Sequence, residues 1–196
     1  MRFLFSDPPS TGLRPGILLD RDGVINERVR DGYVTQWSEF CFVPGIVDIL
    51  ATLSKTSLPI IVVSNQAGVG KGLIKRSDLT ELTLRFVDLL KQASARIDAV
   101  YYCPHVAEQG CICRKPREGL LRRAAQDWRI DLRNSVLVGD SVTDAEAAHA
   151  VDCKAILLDR TESARNSLVA ETITVNHVSD IPSRVCDCLR VRTENL

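Results

Sequence analysis

Three short apolar runs in this chain each stop abruptly at a residue able to do chemistry. Ile17-Leu18-Leu19 ends at Asp20, Ile60-Ile61-Val62-Val63 at Ser64-Asn65, and Val136-Leu137-Val138 at Gly139-Asp140. Short, continuous, partly β-branched runs of this kind read as strands buried on both faces, as in a parallel sheet. Helical spacings separate them. Ile46, Ile49, Leu50 and Leu53 follow Pro44-Gly45, and Leu79, Leu82, Phe86, Leu89, Leu90 and Ala93 follow a Ser77 N-cap. Further stripes are Leu120, Leu121, Ala124, Ala125 and Trp128, then Ala145, Ala147, Ala148 and Val151, then Ile181, Val185 and Leu189. Additional strands are expected over 97–102, 155–158 and 172–175. The alternation predicts an α/β domain with a mostly parallel sheet covered on both faces. In such sheets ligands bind at the carboxyl ends of the strands, where these reactive residues fall.

The length of 196 residues suits one domain, since domains run to about 100–200 residues. Residues 1–15 read as a loose N-terminal extension and 16–196 as a single domain. Twenty-five basic residues balance 25 acidic ones, so no cationic excess is present to neutralise a nucleic-acid backbone. No apolar run approaches the roughly 20 residues of a membrane span. The stretch Met1 to Pro15 carries Arg2, Asp7 and three prolines, unlike a secretory signal. A cytoplasmic monomer without nucleic-acid or membrane partners is expected.

The seven cysteines are an odd number, which favours reduced thiols or a metal over a disulfide framework. Cys41 and Cys153 stand alone, and Cys186 and Cys188 fit a helical stripe as small hydrophobes. Cys103, His105, Cys111 and Cys113 are different. Three thiolates and one imidazole make a Cys₃His set, which closes a tetrahedral zinc ion and leaves no open position. A reduced or redox-active cluster is the competing reading. Arg114 and Lys115 follow the last ligand directly, so a metal-held loop would hold two cations near the strand ends.

Asp20 and Asp22 are separated by one residue, and Gly23 then permits a sharp turn. Side chains alternate along a strand, so both acids can point the same way. Like charges this close oppose each other's ionisation unless a cation intervenes or one is protonated. Asp140 can meet Asp20 above the sheet and hold a hard cation such as Mg²⁺. Asp144 divides between that site and a role as a first-turn helix acid. Ser64-Asn65 offers a hydroxyl, an amide and backbone N–H groups to an anion.

D-R-D-G-V, S-N-Q, R-K-P and V-G-D-S-x-x-D, in that order and in those strand contexts, resemble the haloacid dehalogenase (HAD) superfamily of phosphohydrolases over residues 16–158. G-Y-V (Gly32 to Val34), S-N-Q-A-G-V, Y-Y-C-P-H and C-x-C-R-K-P look like its heptose-bisphosphate phosphatase branch, to which histidinol-phosphate phosphatases are close. The resemblance implies a three-layer Rossmann-like fold with a minimal cap and a zinc loop. It implies Asp20 as nucleophile, Asp22 as general acid and base, and Mg²⁺ held by the Asp20 and Asp140 side chains and the Asp22 carbonyl. Ser64 and Lys115 would bind the phosphoryl oxygens, and Asn65, Gln66 and Arg114 the small phosphorylated sugar. Zn²⁺ would be structural, on Cys103, His105, Cys111 and Cys113. One departure concerns Ser141, where heptose-branch sequences often have Lys. Histidinol-phosphate or another small-metabolite phosphatase, a polynucleotide-end phosphatase and a non-catalytic zinc-stabilised module are the alternatives.

Overall fold

The computed structural model describes residues 1–30, 32–160 and 171–190. Strands β1 (Arg2–Leu4), β2 (Ile17–Leu19), β3 (Ile60–Asn65), β4 (Ala99–Cys103), β5 (Val136–Gly139), β6 (Lys154–Leu158) and β7 (Thr172–Val175) form one sheet. Their order is β1-β4-β3-β2-β5-β6-β7, parallel throughout except for β1, which pairs antiparallel with β4. The helices are α1 (Ile46–Leu53), α2 (Ala67–Gly70), α3 (Arg76–Gln92), α4 (Gly119–Trp128), α5 (Val142–His149) and α6 (Ile181–Leu189).

Alternation along the fully buried strands separates two cores. Ile17 and Leu19 of β2 face Leu50 of α1, Leu82 and Phe86 of α3, and Val185 of α6. Leu18 faces the other way, toward Leu121 and Trp128 of α4 and Ala147 of α5. The sheet therefore lies between two helical layers, and this is why its strands read as unbroken apolar runs. Burying each of these Leu, Ile or Phe side chains contributes about 1.5–3 kcal/mol. No helix among the described residues is long and apolar enough to cross a membrane.

β2 lies between β3 and β5, with Leu19 opposite both Val62 and Val138. From β2 the chain moves to β3 on one side and later returns to β5 on the other. The crevice of this topological switch opens above Asp20.

Three expectations need correction. Residues 2–4 do not belong to a loose extension but form an edge strand. The Met1 amino group donates to the Tyr102 carbonyl at 2.8 Å, and Phe3 packs edge-on against Tyr102 at 5.9 Å. Three residues are too short a run to display a period of two. Helix α3 starts at Arg76 after Lys75, and the Ser77 hydroxyl turns to Asp78 instead of capping it. The strand expected from Ile97 begins two residues later, at Ala99. The helical stripe containing Cys186 and Cys188 does bury both thiols. The stretches 161–170 and 191–196 of the expected single domain lie outside the described residues.

Candidate active site

Asp20 stands one residue past β2, 5% exposed, with its backbone N–H donated to the Val138 carbonyl at 2.8 Å. Carboxylate oxygens of Asp20, Asp140 and Asp144 all lie within 4.8 Å of one another. Two glycines permit this approach. Gly23 has φ +90°, and a Cβ there would fall 1.8 Å from Asp140 Oδ2. A Cβ on Gly139 would fall 2.3 Å from the Cβ of Asp144. Any side chain at either position would push the acids apart.

Lys115 is the cation among them. It is 3% exposed, and its ammonium lies 2.9 Å from Asp20 Oδ1, contacts Asp144 Oδ1 and donates to the Val63 carbonyl at 2.8 Å. Burial opposes its charge, but Asp144 and Asp20 hold the proton on and raise its pKa. Burial raises the pKa of Asp20, Lys115 works against that, and the Asp144 and Asp22 charges add to it. Asp140 is pushed up to about 7, first by burial and then by the Asp20 charge. From outside, Arg28 reaches Asp140 Oδ1 at 2.7 Å. Three hard carboxylates against one buried ammonium suit a divalent cation such as Mg²⁺.

Asp144 opens helix α5 and also lies within the acid cluster. Its Oδ2 accepts from the Ser141 N–H at 3.1 Å and the Ser141 hydroxyl at 2.6 Å, the reciprocal cap that opens α5. Its Oδ1 faces Lys115. The place of Asp144 in the first turn of a helix was legible in the sequence, but nothing local announced the lysine. Arg28 and Lys71, which also line the pocket, carried no sequence signal that marked them out, whereas Tyr33 belongs to the G-Y-V stretch.

The Asp22 carboxylate turns away from the acid cluster. Its Oδ1 accepts from Arg21 Nε at 3.1 Å, Arg21 Nη2 at 2.7 Å and Asn26 Nδ2 at 2.9 Å, and its Oδ2 accepts from Gln66 Nε2 at 2.7 Å. Burial raises its pKa, but the Arg21 charge and these hydrogen bonds prevail and hold it below the ordinary carboxylate value.

Both amides expected to touch the substrate bond to the protein, and Asn65 also lines the pocket. Asn65 binds the backbone of Lys115, with Nδ2 donating to its carbonyl and Oδ1 accepting its N–H, each at 3.0 Å. Gln66 is 2% exposed and donates to Asp22 and to the Ser64 hydroxyl, the latter at 3.2 Å. An amide at the end of a buried strand satisfies the polar groups nearest to it before it can face solvent. Ser64 itself is 1% exposed. Arg114 does line the pocket, and its guanidinium donates to the His105 carbonyl at 3.3 Å. The open pocket has a volume of about 790 Å³.

The soft donors gather next to the site. Cys103 Sγ lies 3.5 Å from His105 Nδ1, 3.6 Å from Cys111 Sγ and 3.2 Å from Cys113 Sγ. Cys113 Sγ lies 3.3 Å from His105 Nδ1 and 3.6 Å from Cys111 Sγ. Zn–S bonds of about 2.3 Å in a tetrahedron give edges of about 3.8 Å, near these separations, so the set can close round that ion.

A sheet with an Asp at its switch point, a second acid two residues on, a buried lysine and a Gly-Asp strand end is the arrangement of a HAD-like hydrolase. A HAD-hydrolase-like family model matches residues 112–182. D-glycero-beta-D-manno-heptose-1,7-bisphosphate 7-phosphatase of Pseudomonas aeruginosa is 35% identical over 149 residues, covering 76% of this chain and 83% of that protein. The enzyme of the same name from Vibrio cholerae is 33% identical over 178 residues, covering 86% and 95%. A crystal structure of D,D-heptose 1,7-bisphosphate phosphatase from B. bronchiseptica, complexed with magnesium and phosphate, superposes with a TM-score of 0.83. It is 29% identical and covers 89% of this chain and 99% of its own. The chain belongs to the D-glycero-beta-D-manno-heptose-1,7-bisphosphate 7-phosphatase family, and it is a phosphoric monoester hydrolase.

Proposed function

We infer that the chain removes the 7-phosphate of D-glycero-D-manno-heptose 1,7-bisphosphate through an aspartyl-phosphate on Asp20. The reading rests on one observation above all: Asp20 and Asp140 converge beside a buried Lys115 at the switch point of the sheet. The relatives' shared name supplies the substrate.

Mg²⁺ would be held by the Asp20 and Asp140 side chains and the Asp22 carbonyl, and when bound it neutralises charge between carboxylate and phosphoryl dianion. Asp20 attacks phosphorus as the bond to the sugar oxygen breaks. Asp22 gives a proton to that leaving oxygen, then takes one from the water that hydrolyses the aspartyl-phosphate. Lys115, pinned between Asp20 and Asp144, keeps a positive charge where the phosphoryl oxygens gather negative charge. Ser64 adds a hydroxyl at the same strand end. Arg114 on the pocket wall is placed for the rest of an anionic sugar. Zn²⁺ on Cys103, His105, Cys111 and Cys113 would be structural, holding Arg114 and Lys115 in register.

Phosphate release with magnesium, measured on the heptose bisphosphate, histidinol phosphate and 3′-phosphorylated oligonucleotides, tests this reading. One equivalent of phosphate from the heptose bisphosphate, with the highest kcat/KM of the set, is expected. A higher kcat/KM on histidinol phosphate or on the oligonucleotide overturns it.

A further inference from the structure

We propose that Arg21 is a positioning residue that sets which oxygen of Asp22 moves the proton, and that this oxygen is Oδ2. The proposal deepens the phosphatase reading and rests on it.

Arg21 lies between the two site aspartates in sequence, and its guanidinium folds back onto the carboxylate of Asp22. It is fully buried. A guanidinium so deep is costly unless paired. Its Nε and Nη2 both end on Asp22 Oδ1, at 3.1 and 2.7 Å, and Asn26 Nδ2 adds a third donor at 2.9 Å. An oxygen that accepts three N–H groups has no lone pair left for a proton. Oδ2 accepts only the Gln66 amide, at 2.7 Å, and Asp22 lines the pocket. Oδ2 is therefore the oxygen able to carry a proton and hand it over.

The guanidinium is itself held from β4. Its carbon lies 5.7 Å from the centre of the Tyr102 ring, and the Tyr102 hydroxyl pairs with the Thr83 hydroxyl at 3.1 Å.

In the reaction, the Oδ2 proton passes to the sugar oxygen as its bond to phosphorus breaks. Oδ2 then accepts a proton from the attacking water, whose oxygen forms the new bond to phosphorus as the Asp20–phosphorus bond breaks. Arg21 changes no bond and touches no substrate.

The test compares leaving groups that need a proton with one that does not. Arg21→Gln and Arg21→Lys are assayed on the heptose 1,7-bisphosphate and on 2,4-dinitrophenyl phosphate. General acid catalysis contributes about 10²–10⁴-fold, so kcat on the sugar phosphate should fall by about 10²-fold with KM moved less than about threefold. The loss on the dinitrophenyl ester should be at least tenfold smaller. Equal losses on both esters, or none on either, overturn the proposal. Should Arg21→Gln fail to fold, Arg21→Lys decides the matter, because it keeps the buried charge but cannot place two planar donors on one oxygen. Wild-type protein without Asp20-dependent hydrolysis of either ester overturns the phosphatase reading itself, whereas uniform losses in an active protein overturn only the role of Arg21.

Discussion

The carboxamide of Asn65 grips the backbone of Lys115 on both sides, Nδ2 donating to its carbonyl and Oδ1 accepting its N–H, each at 3.0 Å. Through this pair the end of β3 and the exit of the Cys/His loop become one unit. The lysine ammonium is thus placed from two directions, by the strand behind it and by the loop before it.

Asn65→Ala removes both bonds and leaves two part-buried backbone groups unmet. A loss of about 1–3 kcal/mol in stability is expected, with a raised KM for phosphate esters because Lys115 is no longer held. Urea unfolding and steady-state kinetics check this. An unchanged midpoint together with an unchanged KM would count against the clamp.

Lys115→Met strands Asp20 and Asp144 as buried carboxylates without their shared cation. Breaking a buried ion pair on one side costs about 3–5 kcal/mol, and turnover should be lost along with the stability. Denaturant melts report the first effect and phosphate release the second.

Asp20→Asn keeps the volume of the side chain and removes the proposed nucleophile. Turnover should fall below detection while the melting temperature stays near wild type or rises, since one buried negative charge is gone from beside Asp140 and Asp144. Phosphate release near the wild-type rate would refute the assignment.

Asp140 carries a definite pH signature in protein stripped of magnesium. Its pKa stands at about 7 against an ordinary 3.8, raised by burial and by Asp20. Below 3.8 both folded and unfolded chains hold the proton, and the contribution to stability is complete. As pH rises toward 7 the unfolded chain releases its proton first, so stability falls across that window. Magnesium competes with the proton for this carboxylate, so added Mg²⁺ should raise the melting temperature more at pH 8 than at pH 5. Melts across pH with and without Mg²⁺ measure both trends, and equal Mg²⁺ effects at the two pH values would contradict them.

Cys111→Ser/Cys113→Ser removes two of the four soft ligands. Zinc content measured by elemental analysis should fall, and a loss of about 2 kcal/mol would lower the melting temperature by about 4–8 °C at this chain length. KM should rise as well, because Arg114 and Lys115 follow the loop directly. Unchanged melting and unchanged KM would separate the loop from the site.

The sequence by itself determined the layered architecture and the chemistry of the site. Buried parallel strands must be continuously apolar, and Asp20-x-Asp22, the Gly139-Asp140 strand end and the Cys/His set are each written into a short stretch of the chain. Tertiary structure alone decided how those groups share their partners. Asp144 faces a lysine 29 positions earlier, Asn65 and Gln66 give their amides to the protein, and residues 2–4 close an edge of the sheet. Each of these is a long-range pairing forced by the need to satisfy buried polar groups. Which donor reaches which acceptor is settled only when distant strands meet, so no local pattern could record it.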